Sequence, residues 1–334
     1  MNTKLNKFLT LFTLSSCLIA TSIFAENSND KSTAQFAVPP AKNPSGEEAL
    51  NFYIGAYYTY WVPYQTNTNI AVSLGTGSVQ GGAISPAMNA RSGFKVSAGA
   101  NTTYDDWMVR LNYAWFYNEP DLAAATLVNT FYYSLFPTSI AGDDEYYAFS
   151  SQFQNQFNRI DAQLDRQFFA GNHFVFRPWL GLLAAWDQEY LHVYQTNLDS
   201  QIEKVQTHQL WWGIGPYAGA EGSFYFTDEF CGFVSSGLAM LLSNHQITAG
   251  SFDVNSSLNP TGVVHLNAFN EYNDMEPMFE ATLGLRWDAN WPTWGLCIDL
   301  AWEAQTYLNH ARFSAEGLGD YSMQGLTVGA KVSF

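Results

Sequence analysis

The last ten residues constrain the fold most. Leu326, Val328, Ala330, Val332 and Phe334 are apolar, and Gly325, Thr327, Gly329, Lys331 and Ser333 alternate with them. Side chains on a strand point alternately to opposite faces, so one face here needs an apolar solvent while the other tolerates an ammonium group. A soluble sheet could use such a strand with its polar face in water. A strand that runs to a terminal aromatic residue fits better the closing strand of a transmembrane barrel. Phe334, Val332, Val328 and Leu326 then form the kind of aromatic-ended segment that barrel assembly machinery reads.

The rest of the chain repeats this pattern. Charged residues make up 13% of the 334 positions, against about 25% in an average soluble protein. Aromatic residues make up 16%. Beyond the N-terminal segment no apolar run is long enough for a membrane helix, so a span must be built from strands.

Residues 1–25 read as a secretory signal. Lys4 and Lys7 precede a mostly apolar stretch from Phe8 to Phe24, and Ala25 stands before Glu26 as the cleavage point. A lipoprotein cleaved before Cys17 is the alternative, but the apolar run continues past it. Removing the signal takes the net charge from −16 to −18. An acidic body of this kind excludes nucleic acid as a partner. Cys231 and Cys297 are the cysteines of the mature chain, too few for a disulfide framework. Residues 26–50, polar and rich in Pro, Ser and Asn, read as a flexible periplasmic lead-in, and 51–334 as the barrel.

Strands are expected near 51–62, 94–101, 107–117, 153–169, 174–194, 206–226, 230–248, 275–287, 294–302 and 325–334. Strand 107–117 is the clearest, with Trp107, Val109, Leu111, Tyr113, Trp115 and Tyr117 on one face. Within 174–194, Pro178 removes a ladder donor and predicts a bulge. Long connections fall near 63–90, 118–152, 195–205, 250–270 and 309–319, the second including a short helix from Leu122 to Val128 and an acidic tip at Asp143-Asp144-Glu145. Short ones fall near 102–106, 170–172, 227–229 and 289–293. This long–short alternation defines an all-β fold: a transmembrane antiparallel up-and-down β-barrel of about ten strands, with room for twelve. The long loops face outward and the short turns face the periplasm.

The segments Phe52-Tyr53-Ile54-Gly55-Ala56-Tyr57-Tyr58-Thr59-Tyr60-Trp61, Gly93-Phe94-Lys95-Val96 followed by Tyr104-Asp105-Asp106-Trp107, and Leu326 to Phe334 resemble the Legionella-type major outer-membrane proteins. That family of pore-forming barrels has relatives in Chlamydia-like bacteria. The resemblance implies an abundant surface porin or porin-like adhesin in the bacterial outer membrane, and it supplies no catalytic motif.

Three functional readings follow. The first is a passive pore for small polar solutes and ions with weak cation preference. Its lining is the polar row Lys95, Arg110, Arg159, Asp161, Asp165, Glu221, Glu280, Arg286, Asp299, Glu303 and Lys331, in which acids slightly outnumber bases. The alternative is a surface adhesin or structural envelope barrel, its lumen plugged because these charges pair across it. The third, a hydrolase at the outer rim, lacks a constellation. His173, His192, His208, His245, His265 and His310 show no metal-like or triad-like spacing, so they read as exposed loop residues, with no cofactor and no metal. The expected partners are outer-membrane lipid, the assembly machinery, further copies of the chain and a host-surface ligand at the outer loops.

Deleting Phe334 is expected to leave unfolded precursor in the periplasm. Normal amounts of heat-modifiable barrel in the membrane after that deletion would contradict its role as an assembly determinant.

Overall fold

The structure is a computed structural model that describes residues 51–66, 71–73, 83–86, 88–102, 107–126, 132–134, 146–171, 173–197, 202–254, 260–311 and 319–334. The lead-in at 26–50, the signal segment and the acidic tip Asp143-Asp144-Glu145 lie outside the described residues. So does the turn Tyr104-Asp105-Asp106.

Ten long strands form the wall. They are β1 (Asn51–Gln65), β2 (Arg91–Asn101), β3 (Trp107–Thr126), β4 (Tyr146–Arg166), β5 (Phe174–Asn197), β6 (Ile202–Tyr225), β7 (Phe230–Val254), β8 (Pro260–Asn290), β9 (Gly295–Ala311) and β10 (Gly319–Ser333). Each pairs antiparallel with the next, and β10 returns to pair with β1 from Tyr53↔Ser333 to Gln65↔Tyr321. The barrel is therefore closed, and among the described residues none of the ten long strands is left as an open edge in lipid, where an unpaired peptide group would cost several kcal/mol. Short strands at Ala71–Ser73, Ala83–Ile84 and Tyr132–Ser134 extend this sheet through Tyr132↔Tyr146.

The outward face is apolar over one band. On β5, Phe176, Leu180, Leu182 and Trp186 point outward and are 39–66% exposed. Ten residues at about 3.3 Å each, tilted, span about 25 Å of hydrocarbon. Trp212 and Trp302 are also exposed on the outer wall of β6 and β9.

Beyond this band the strands continue, and the solvent on the outside changes. Gln188, His192, Lys204 and Gln206 now point outward, while Leu191, Val193 and Val205 turn inward and are 1–2% exposed. On β4, Phe149, Phe153 and Phe157 point inward and Gln152, Gln154 and Gln156 outward. The outer part thus meets water on its outer wall and carries apolar residues such as Phe153, Leu191 and Val193 inward among buried polar ones.

Three expectations change as a result. The expected connections at 195–205 and 250–270 are largely strand among the described residues, and those at 118–152 and 309–319 begin and end in strand: β3 runs to Thr126, so Leu122 to Thr126 is strand and not helix, and only residues 198–201 separate β5 from β6. Pro178 makes no bulge. It pairs with Ala220 in unbroken register, and the β4 side keeps its register from Asp165↔Trp179 to Phe168↔Phe176, with the ladder interrupted at Arg166 and Gln167. The missing N–H opens a gap without shifting the strand. Asn309, with φ 62°, does make an irregularity between Tyr307 and Ala311.

Candidate functional site

The interior of the barrel carries the chemistry, in layers. Nearest the periplasmic turns is a charged network. Arg177 Nη2 donates to Glu221 Oε1 at 2.7 Å, and Arg286 reaches the same oxygen at 3.0 Å. Arg286 Nε also donates to Asp299 at 2.7 Å, and Lys331 Nζ lies 3.2 Å from the other Asp299 oxygen. Arg110 pairs with Asp165 at 2.7 Å. Higher up, Lys95 pairs with Glu303 at 2.7 Å, and Arg159 pairs with Glu280 and, at 3.2 Å, with Asp161. Tyr217 donates to Glu280, and the Arg159 guanidinium lies over the Tyr217 ring, 5.3 Å from its centre.

All eleven residues of the polar row point into the barrel, and each is ion-paired to another of the eleven. Several pairs span the interior. Arg159 on β4 reaches Glu280 on β8, and Lys95 on β2 reaches Glu303 on β9. Arg177, opposite the apolar register of Phe176, Pro178 and Leu180 on β5, also belongs to the network, although the polar row read from the sequence does not include it. Two cavities of about 170 and 190 Å³ lie among these charges. Cys231 and Cys297 point into the same region with β8 between them, and both are free thiols.

Above the charges sits an apolar layer. Trp61, Phe116, Phe157, Leu183, Trp211, Met278, Tyr307, Tyr321 and Met323 form one cluster, none more than 3% exposed. They come from β1, β3, β4, β5, β6, β8, β9 and β10. Phe157 on β4 meets Tyr307 on β9, diametrically opposite, at 5.4 Å between ring centres, and Tyr307 meets Trp211 on β6 at 5.7 Å. Trp179 and Tyr217 line the lower margin, 6.0 Å apart. Glycine makes room for such rings: a Cβ at Gly219 would stand 2.3 Å from the Trp179 ring, and one at Gly329 would stand 2.1 Å from Tyr57.

A second polar layer lies above the aromatic one. Asn155 Nδ2 donates to both Asp187 oxygens at 2.8 Å, Tyr321 donates its hydroxyl to Asn155 Oδ1 at 3.0 Å, and Gln65 donates to Glu189 at 3.3 Å. His310 Nε2 is 3.2 Å from Asp187, and His245 is bonded to Glu276. Asp187, Glu189, Glu276, His245 and His310 are at most 1% exposed. This corrects the reading of the histidines as exposed loop residues. His245 falls in the inward register of β7 with Leu241, a sign the sequence did carry. His310 does not, because the turn at Asn309 moves it inward out of phase. His173 is exposed at a periplasmic turn, and His192 and His208 sit half-buried on the outer wall, with His208 stacked on Tyr190 at 4.1 Å. The side chain of His265 is outside those described.

The closed ladder, apolar outer band and filled interior define an outer-membrane β-barrel. Residues 43–334 match the family described as Legionella pneumophila major outer membrane protein precursor, and the chain belongs to that family. Its place is the bacterial outer membrane. Among solved structures, it is similar to the outer membrane protease OmpT from Escherichia coli, at 10% identity over 87% of this chain and 100% of that one, with a TM-score of 0.42. It is also similar to a major outer membrane protein from Thermus thermophilus at 11% identity, over 86% of this chain and 100% of that one, with a TM-score of 0.31. The Pseudomonas putida toluene transporter TodX gives 9% identity over 92% and 94%, with a TM-score of 0.27. Likenesses this distant carry no chemistry over to the chain. No curated protein matches it.

Arg159→Met leaves Glu280 buried beside Tyr217 without its cation and is expected to lower barrel stability by about 3–5 kcal/mol. Arg159→Met with Glu280→Met is expected to recover part of that loss, since Asp161 keeps its hydrogen bonds from Asn112 and Gln163 but not its cation. Heat-modifiability midpoints of the refolded variants measure both, and a double variant as unstable as the single one would contradict the pairing.

Proposed function

We propose that this protein is a side-chain-filled envelope barrel that serves the outer membrane as a structural and surface element, with its lumen shut at rest. The observation that carries this reading is the contact of Phe157 with Tyr307 and of Tyr307 with Trp211, rings from opposite walls meeting on the barrel axis. A continuous water path would expose the nine residues of that layer, which are 0–3% exposed. Barrels of about eight strands are filled by their side chains, and ten strands furnished with aromatic rings fill as well.

The passive pore with weak cation preference is the second reading. Its support is the pair of polar cavities of about 170 and 190 Å³ below the aromatic layer, and the family's standing as major outer-membrane proteins. Against the cation preference stands the pairing of every acid in the polar row with a base, which leaves little net field for a passing ion. A non-enzymatic role agrees with the family description. Lipid on the outer band, the assembly machinery at Phe334, further copies of the chain and a host-surface ligand remain the partners of this proposal.

Planar-bilayer recording of refolded protein separates the readings. Wild type is expected to be silent or to show rare brief openings, and Phe157→Ala with Tyr307→Ala is expected to raise conductance at least tenfold. Stable wild-type openings with a cation-selective reversal potential would overturn the proposal in favour of the pore.

A further inference from the structure

The polar layer above the aromatic rings holds an arrangement that a packed barrel does not require. Asp187 and Glu189 stand two residues apart on the inner face of β5, and His310 faces them from β9, four strands away around the wall. One oxygen of each carboxylate and one ring nitrogen lie within 4.8 Å of one another. His310 Nε2 is 3.2 Å from Asp187 Oδ2 and 4.0 Å from Glu189 Oε1. Ligands at about 2.0–2.2 Å from a tetrahedral metal ion are separated by about 3.3–3.5 Å, so small side-chain adjustments close these three on one ion.

Two further observations around that triad point the same way. Gln209 is directly opposite Glu189 in the β5–β6 ladder and is fully buried. Its Nε2 donates to the His310 carbonyl at 3.0 Å, while its Oε1 has no hydrogen-bond partner. An orphaned acceptor in such a place costs about 1–3 kcal/mol unless a ligand takes it up. The other face of His310 is also prepared. Its Nδ1 lies 3.5 Å from Glu276 Oε2, an electrostatic contact without a formed hydrogen bond that leaves Nε2 turned to the acids. Metal-binding histidines are held in this way by an outer carboxylate. Two imidazoles, His310 and the His245 bonded to Glu276, thus stand among three carboxylates, and Asp187 and Glu189 share His310 alone on their side of the cluster.

We propose that Asp187, Glu189 and His310, with Gln209 Oε1 as fourth ligand, form a site for one divalent transition-metal ion such as zinc. Nitrogen and carboxylate donors together suit zinc among the common divalent ions. Asn155, holding both Asp187 oxygens, and Glu276, behind His310, serve as the outer shell. The ion would tie β5 and β6 to β9 across the interior and so pin the outer half of the barrel. The site is closed to water, so it loads as the barrel folds.

The test uses full-length mature protein refolded after chelation, with and without zinc, and metal content measured by mass spectrometry after extensive dialysis. About one zinc per barrel is expected in wild type, with a higher heat-modifiability midpoint than the zinc-free preparation. Glu189→Gln and His310→Gln are each expected to reduce bound zinc at least tenfold, while His192→Gln, on the outer wall, retains it. If a variant fails to refold, wild type refolded with cobalt decides: a tetrahedral visible absorption band supports the site, and its absence overturns it. Substoichiometric metal in wild type, or equal metal in wild type and Glu189→Gln, would show adventitious binding only and overturn the proposal.

Discussion

In hydrocarbon no water is available to an unpaired peptide group, so every strand of this chain must find two neighbours. That requirement makes β10 return to β1 and fixes the rest. The Phe334 N–H completes the ladder by donating to the Phe52 carbonyl at 2.8 Å. Closure with ten strands then sets the width of the interior, and the sequence has to fill a space whose walls it cannot move. It does so with rings laid against glycine, as Trp179 lies over Gly219, and with ion pairs long enough to meet across the axis.

The layers divide that work by environment. Charged groups inside a membrane barrel are shielded from lipid by the wall, but they have lost most of their water. A lone guanidinium there would be costly, and pairing offsets much of the penalty. Arg286 between Glu221 and Asp299, and Arg159 between Asp161 and Glu280, therefore appear as alternating charges in two clusters. The aromatic layer above supplies what such clusters lack, a dry and closely packed barrier. Above it the outer wall meets water, and the strands carry apolar side chains inward among buried polar ones.

That change of solvent explains what could be read from the sequence. Within the apolar band the period of two has a constant phase, and all eleven residues of the polar row turn inward as their alternation predicts. At Trp186 and Trp212 the phase inverts: apolar residues pass from the outer to the inner face. Across such an inversion the alternation looks broken, and the strand continuations at 195–197, 202–205 and 250–254 read as loops. The buried acids and histidines were hidden for the same reason, and His310 doubly so because Asn309 shifts its face. What no local pattern could provide is pairing across the interior. Phe157 and Tyr307 are 150 positions apart and meet only because β4 and β9 are opposite in a ring of ten.

In the proposed barrel, side chains close the lumen between the charged layer and the outer chamber. Substituted-cysteine accessibility tests it most directly, in a Cys231→Ser, Cys297→Ser background reconstituted in one orientation. A small charged thiol reagent is added from the side of the short turns. The account predicts modification of Thr282→Cys, which lines the lower cavity, and none of Ser151→Cys, which lies above the rings. Modification of both at similar rates would contradict it.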